Sequence, residues 1–300
     1  GAVLALSAVS TLAMAQQPTV KVGLSFSLTG QGAALGIPKR NMLSLIDTAN
    51  FAGVKLETIL LDDAGDPTAA TNNARRLATE EKVDILVGSS ITPASIAVAN
   101  VAGENNVPHL AISPIPLPPQ NAKWSFVLPQ PVNLMADKLF AHMAAHGVKK
   151  VGFIGFSDSW GDLWVNALKN VGTKHGLTLI VEERYARPDT SVAGQALKLV
   201  AAKPDAVLVG ASGTAAALPN LALRERGYKG PIYQSHGAVS RDFIRIGGKA
   251  AEGTFFVAGP AVVPELQADS ALTKKPGLEF VKLYEDKFGK DSRNAFAGHM

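Results

Sequence analysis

Two successive runs of alternating apolar strand and amphipathic helix constrain this chain more than any other feature. After Pro18 the pattern is regular. Val20–Leu28 (VKVGLSFSL), Val54–Leu61, Val83–Val87 and Val107–Ile112 read as buried strands. Ala34–Asn50, Thr68–Glu81 and Pro93–Glu104 read as the helices between them. Asp66-Pro67 opens the second helix, because Pro is tolerated in a first helical turn. Strands that alternate with helices specify a parallel sheet with helices on both faces. Ser113–Gln120 (SPIPLPPQ) holds four prolines in eight residues and predicts an ordered, non-helical loop. The alternation then restarts. Strands are expected at Val148–Phe156, Leu177–Arg184, Ala206–Gly210 and Pro231–Gln234. Helices are expected at Val132–His146, Gly161–His175, Thr190–Ala202, Ala215–Arg226 and Leu278–Phe288, with Gly147, Gly176 and Gly227 closing three of them.

Composition narrows the chemistry. Of 300 residues, 47% are hydrophobic, which supplies a sizeable core and suggests two domains at about 150 residues each. The chain has no cysteine, which excludes disulfides, thiolate zinc sites and cysteine nucleophiles. A formal charge of +4, with no Lys/Arg run longer than two, is no nucleic-acid footprint. Residues 1–15 are uncharged and end in Ala13-Met14-Ala15, an A-x-A cleavage signal. They read as the remnant of a signal peptide, too short to span a bilayer, which needs about 20 apolar residues. The protein is therefore expected outside the cytoplasm, in the periplasm. The abrupt end at Phe296–Met300, without a helix-stop signal, reads as a truncated C-terminus.

Enzymatic motifs are sparse. There is neither a P-loop nor a G-x-S-x-G elbow. His142 and His146 are spaced i, i+4 on a helix, but Met143 stands where a zincin has Glu, so polar helix-face residues are expected. Asp62, Asp63 and Asp66 cluster past a strand end, where loop capping is expected ahead of metal binding. Thr29–Gly36 (TGQGAALG) sits where a dinucleotide loop would, between strand one and helix one. Its third glycine falls one position late, with Leu35 in its place, and Asp62 is too distant. An exported Rossmann-type oxidoreductase remains an alternative of another class. A ligand-sensing domain of a regulator is a third, although the signal peptide occupies the place of its helix-turn-helix. No cofactor or metal is implied.

Several segments in order carry a family resemblance: VKVGLSFSLTGQGAALG at 20–36, LVGSSITPAS at 86–95, VPHLAISPIPLPP at 107–119, VGFIGFSDSWGDLW at 151–164, GASGTAAALPNLALRERGYKGPIY at 210–233 and AAEG at 250–253. The chain resembles the periplasmic substrate-binding proteins of ABC transporters, in the branched-chain amino-acid-binding (leucine/isoleucine/valine) group. The resemblance implies an α/β fold of two doubly wound, Rossmann-like lobes, the type I periplasmic binding fold. Lobe one would cover 19–124 plus 258–300 and lobe two 125–257, joined by hinge crossovers near Trp124–Pro129, near Gly253–Gly259 and past the C-terminus. Ligand would bind in the cleft at the strand C-terminal ends, and hinge closure on it would be recognised by a permease at the inner membrane. The family resemblance favours a monomer and no catalysis.

Carried onto this chain, the family site falls on Leu35, Ser89, Ser90, Ile115-Pro116-Leu117, Trp160, Ser212-Gly213 and His236. Ser89 and Ser90 would meet a ligand carboxylate. Ile115, Pro116 and Leu117 replace Ala-Ala-Thr and would make that wall apolar, as would Leu35. Trp160 replaces a Tyr over the ligand. Ser212 and Gly213 stand where a second Tyr is absent and would leave space. His236 replaces the acid that pairs with an α-ammonium, and an unpaired buried ammonium costs several kcal/mol. The expected ligand is therefore a small carboxylate, with an aromatic acid as the expected kind. A branched-chain amino acid or an amide is the alternative within the fold.

Overall fold

The structure, a computed structural model, describes residues 17–117 and 119–297. The signal-peptide stretch 1–15 and the last three residues lie outside the described residues. Ten strands and nine α-helices occur among the described residues. The first sheet holds β1 (Thr19–Phe26), β2 (Lys55–Asp62), β3 (Ile85–Gly88), β4 (His109–Ala111) and β5 (Ser125–Val127), in the order β2-β1-β3-β4-β5. The second holds β6 (Lys150–Phe156), β7 (Thr178–Tyr185), β8 (Ala206–Gly210), β9 (Ile232–Gln234) and β10 (Thr254–Phe256), in the order β10-β9-β8-β6-β7. Every strand pairing between these elements is parallel. All strand C-terminal ends of one sheet therefore reach the same edge, and the loops that follow them can build a site together.

The helices are α1 (Ala33–Leu43), α2 (Pro67–Arg75), α3 (Thr92–Asn105), α4 (Val132–Ala145), α5 (Ser159–Asn170), α6 (Ala193–Ala202), α7 (Ala217–Glu225), α8 (Arg241–Gly247) and α9 (Lys274–Phe288). Asp66 caps α2 by accepting from the Ala69 N–H at 2.7 Å, with Pro67 opening the helix. Gly147, Gly176 and Gly227 take φ of 78°, 74° and 77° just past helical segments, as a left-handed helix closure requires. Lobe two packs on one large core cluster around Phe153, Trp164, Val207, Leu208 and Tyr233. Lobe one divides its apolar core among three smaller clusters.

Some sequence expectations shift. α1 ends at Leu43 instead of reaching Asn50, and beyond it the Asp47 carboxylate turns the chain by accepting from the Ala49 and Asn50 N–H groups. β5, β10 and α8 had no counterpart among the expected elements. β5 pairs in register with β4, and the Ser125 hydroxyl lies 3.1 Å from His109 Nδ1. The chain thus leaves the first sheet after Val127, not at Trp124. It enters lobe two through Leu128–Pro131 and leaves that sheet again after Phe256. The final segment touches both lobes. Lys287 Nζ donates to the Ser44 carbonyl at 2.6 Å, and Arg241 lies 3.6 Å from Asp291.

Candidate functional site

Loops from both sheets line a narrow hollow whose empty space, counted out to its mouth, is about 330 Å³. Lobe one contributes Leu35, Lys39, Ser90, Thr92 and Ile112–Pro114. Lobe two contributes Trp160, Arg187, Ser212, His236 and Gly237, and Phe296 closes one side.

The lobe-one wall rests on a buried carboxylate. Asp63 follows β2 and receives hydroxyl hydrogen bonds from Ser25 (2.9 Å), Ser27 (2.7 Å) and Ser89 (2.6 Å), and the Gly65 N–H at 2.9 Å. Ser90, one residue on, accepts from the Ser27 N–H at 3.1 Å and faces the hollow. Gly36 makes this possible. A Cβ there would overlap the Ser27 carbonyl, so only glycine lets α1 approach the end of β1. Leu35 and Lys39 are one helical turn apart and share the buried face of α1. Lys39 is 1% exposed and donates to the Ile112 carbonyl at 2.8 Å. Burial lowers its pKa to about 7 against the opposing pull of Asp63. Thr92, at the start of α3, donates to the Pro114 carbonyl at 2.8 Å and pins the loop after β4. The buried Ser113 hydroxyl beside it has no protein partner.

The lobe-two wall is organised by Asp158. Its carboxylate caps α5 by accepting from the Trp160 N–H at 2.9 Å and the Gly161 N–H at 3.3 Å. The same carboxylate accepts from Arg187 Nε at 2.6 Å. Arg187 also donates to the Ser212 hydroxyl at 3.2 Å and lies 4.2 Å over the Phe156 ring. Trp160, 4% exposed, meets the His236 ring edge-on at 5.1 Å. Trp160 Nε1 and His236 Nδ1 are buried without a protein partner. Burial, and then the Lys39 charge, lower the His236 pKa to about 4, so His236 is neutral in this wall.

Of the ten site residues named from sequence, Leu35, Ser90, Trp160, Ser212 and His236 line the hollow together. Ser89 lies behind the wall, donating to Asp63. Gly213 sits where a Cβ would come 3.0 Å from the Leu35 side chain, so it permits the close approach of the lobes. Ile115, Pro116 and Leu117 do not line it. The loop enters the hollow directly after β4, so Ile112-Ser113-Pro114 form the wall three residues earlier, held by Thr92. Ile115 then turns into the core beside Ala99 and Ala111, Pro116 is exposed, and Leu117 lines a separate apolar hollow with Val132 and Leu163. Sequence reasoning missed Lys39 and Arg187. Lys39 had a usable signal: it stands at i+4 from Leu35, so a cleft-facing Leu35 implies a cleft-facing Lys39. Arg187 lies in a loop after β7 and gave none.

The other motifs are structural. Asp62 accepts from the Leu28, Thr29 and Ala64 N–H groups and the Thr29 hydroxyl, and Asp66 caps α2. No group of three metal-ligating residues occurs among the described residues. The glycines of the TGQG turn press against protein atoms. A Cβ at Gly32 would strike the Ser27 side chain, and one at Gly30 the Ala64 carbonyl. The close backbone approach that a pyrophosphate would need is thus occupied by the protein itself.

Two parallel-sheet lobes with a small hollow between their strand ends define a ligand-binding receptor of the type I periplasmic binding architecture. The family model for periplasmic binding proteins matches residues 19–300, and the chain belongs to that family, one of solute receptors that work with ABC transporters. An extracellular ligand-binding receptor from Rhodopseudomonas palustris is 58% identical with a TM-score of 0.92, over 95% of this chain and 79% of that one. The Leu/Ile/Val-binding protein homolog 3 of Brucella melitensis is 25% identical over 84% of this chain and 70% of its own length. A solute binding protein of an ABC transporter from Rhodopseudomonas palustris BisB5, solved in complex with 3,4-dihydroxy benzoic acid, shares the fold. It is 24% identical with a TM-score of 0.77, over 93% of this chain and 76% of that one.

Proposed function

We propose that this chain is the extracytoplasmic receptor of an ABC importer for a small carboxylate, with aromatic acids as the ligand class. It would be exported by the leader ending at Ala15 and deliver its ligand as a monomer, by closure of the lobes on each other. One observation carries the reading: Lys39, Arg187 and His236 line the hollow, and no acid does among the described residues. An α-ammonium would enter without a counter-charge, at a cost of several kcal/mol. A carboxylate would instead meet the Arg187 guanidinium, the Lys39 amine and the unpartnered Ser113 hydroxyl and Trp160 N–H. The Trp160 ring offers an apolar face to an aromatic body. The dihydroxybenzoic acid complex shows that this fold accommodates such a body; the choice of ligand for this chain rests on its own residues.

Calorimetry and thermal shift with benzoate and 4-hydroxybenzoate against leucine and valine test the reading. The aromatic acids are expected to bind and leucine to give no response. Tight leucine binding without a response to the acids would overturn it in favour of amino-acid uptake. Saturable micromolar NAD binding, followed by tryptophan fluorescence, would instead favour an oxidoreductase.

A further inference from the structure

A buried lysine without a carboxylate partner needs an account, because Lys is almost never fully buried unless paired. Lys39 makes no ion pair among the described residues, and its hydrogen bond goes to the Ile112 carbonyl. Every charged group that faces it is accounted for. Asp63 lies behind it, but both its oxygens are held by Ser25, Ser27, Ser89 and the Gly65 N–H. Arg187, across the hollow, is held by Asp158 at 2.6 Å, which engages that carboxylate too. His236 is basic and neutral. An ammonium at Lys39 thus has unfilled donors in a hollow that supplies no anion.

The geometry points to Lys39 as a proton-coupled anchor that takes up a proton as a carboxylate enters and becomes the ammonium that holds it. This rests on the carboxylate reading of the hollow. The balance is simple. The ligand arrives as an anion, one proton comes from solvent or buffer, and an ammonium–carboxylate pair results with no covalent change. Arg187 cannot play this part, since a guanidinium stays protonated. His236 starts from about 4 and is much the weaker competitor for the proton. The sign follows from linkage. Carboxylate raises the Lys39 pKa above its unliganded value of about 7, so affinity is flat below that pH and weakens about tenfold per unit above it. Uptake is about 0.9 proton per ligand at pH 8 and about 0.1 at pH 6.

The test is calorimetry of benzoate with the whole chain in phosphate and in Tris, whose ionisation heats differ widely. At pH 8 the enthalpies should differ by about nine-tenths of that difference, and at pH 6 by about one-tenth. Lys39→Arg should bind with no buffer dependence, and His236→Gln should keep it. A buffer-independent enthalpy at pH 8 in the unaltered protein, or uptake that persists in Lys39→Arg, overturns the inference. If benzoate and 4-hydroxybenzoate both fail to bind, the carboxylate reading falls, and Lys39 is judged by itself by NMR titration of lysine ¹³Cε in the unliganded protein. A resonance titrating near 7 and absent from Lys39→Met supports the neutral amine; ordinary midpoints near ~10.4 for every lysine overturn it.

Discussion

Asp158 does two jobs at the wall of the cleft, and two substitutions separate them. Asp158→Asn keeps an N-cap of about equal quality for α5 and removes the charge opposite Arg187. The pair is well covered: the Arg187 side chain is 11% exposed and that of Asp158 21%. Breaking a pair of this kind by removing one partner costs about 3–5 kcal/mol, mostly as the cost of a stranded charge. The Ser212 hydroxyl and the Phe156 ring still face Arg187, which puts the expectation at the lower end, about 3 kcal/mol. Asp158→Ala adds the lost cap, about 1 kcal/mol more. For a chain of 300 residues about 3 kcal/mol corresponds to a midpoint drop of roughly 5 °C. Urea unfolding followed by far-UV dichroism and by tryptophan fluorescence reads both variants, since Trp160 and Trp164 both lie on α5. If Asp158→Asn unfolds within 1 kcal/mol of the unaltered protein, as judged against ~1 kcal/mol for a cap alone, Arg187 does not depend on Asp158 and the account of this wall is wrong.

Three further outcomes are expected. Trp160→Phe keeps a ring but removes the unpartnered Nε1–H, and a hydrogen bond to a charged oxygen is worth about 1.5–3 kcal/mol, so benzoate affinity measured by calorimetry should fall about ten- to a hundredfold; an unchanged Kd would show that this N–H does not meet the ligand. Burial holds His109 down to about 4, so the unfolded chain binds the proton first as pH falls. Its stabilising share is present above about 6.5 and lost toward 4, at up to ~1.4 kcal/mol per pH unit, and His109→Gln should flatten that part of a urea-midpoint pH profile. Gly161→Ala places a Cβ on the Phe156 carbonyl and should destabilise the chain by at least about 2 kcal/mol in the same unfolding assay.

The elements legible in the sequence are those whose apolar runs or caps act locally. Ala206–Gly210 is buried at every position and reads as a strand from its composition. Asp66-Pro67 announces α2 because a cap and an opening proline need only their neighbours. β5 was illegible: it has three residues, Phe126 is exposed, and the partner that makes it a strand is β4. The hollow was legible where strand ends lead straight into it, at Ser90 and Trp160. It was misread at the proline-rich loop, because the hydrogen bond from Thr92 to the Pro114 carbonyl, not the spacing from β4, sets which residues turn inward. Lys39 was missed for a different reason. A lysine in an amphipathic helix ordinarily marks the solvent side, whereas Lys39 lines the hollow and is buried.

The all-parallel sheets carry one more consequence. With every strand ending at the cleft edge, α1, α3 and α5 begin there, and Leu35, Thr92 and Trp160 at or near their first turns line the hollow. Three sets of backbone N–H dipoles therefore have their positive ends at the hollow. The scaffold is electropositive before any side chain is chosen. A descendant that accepts a cation must import carboxylates against that field, whereas one that exchanges one organic acid for another need only recarve the walls.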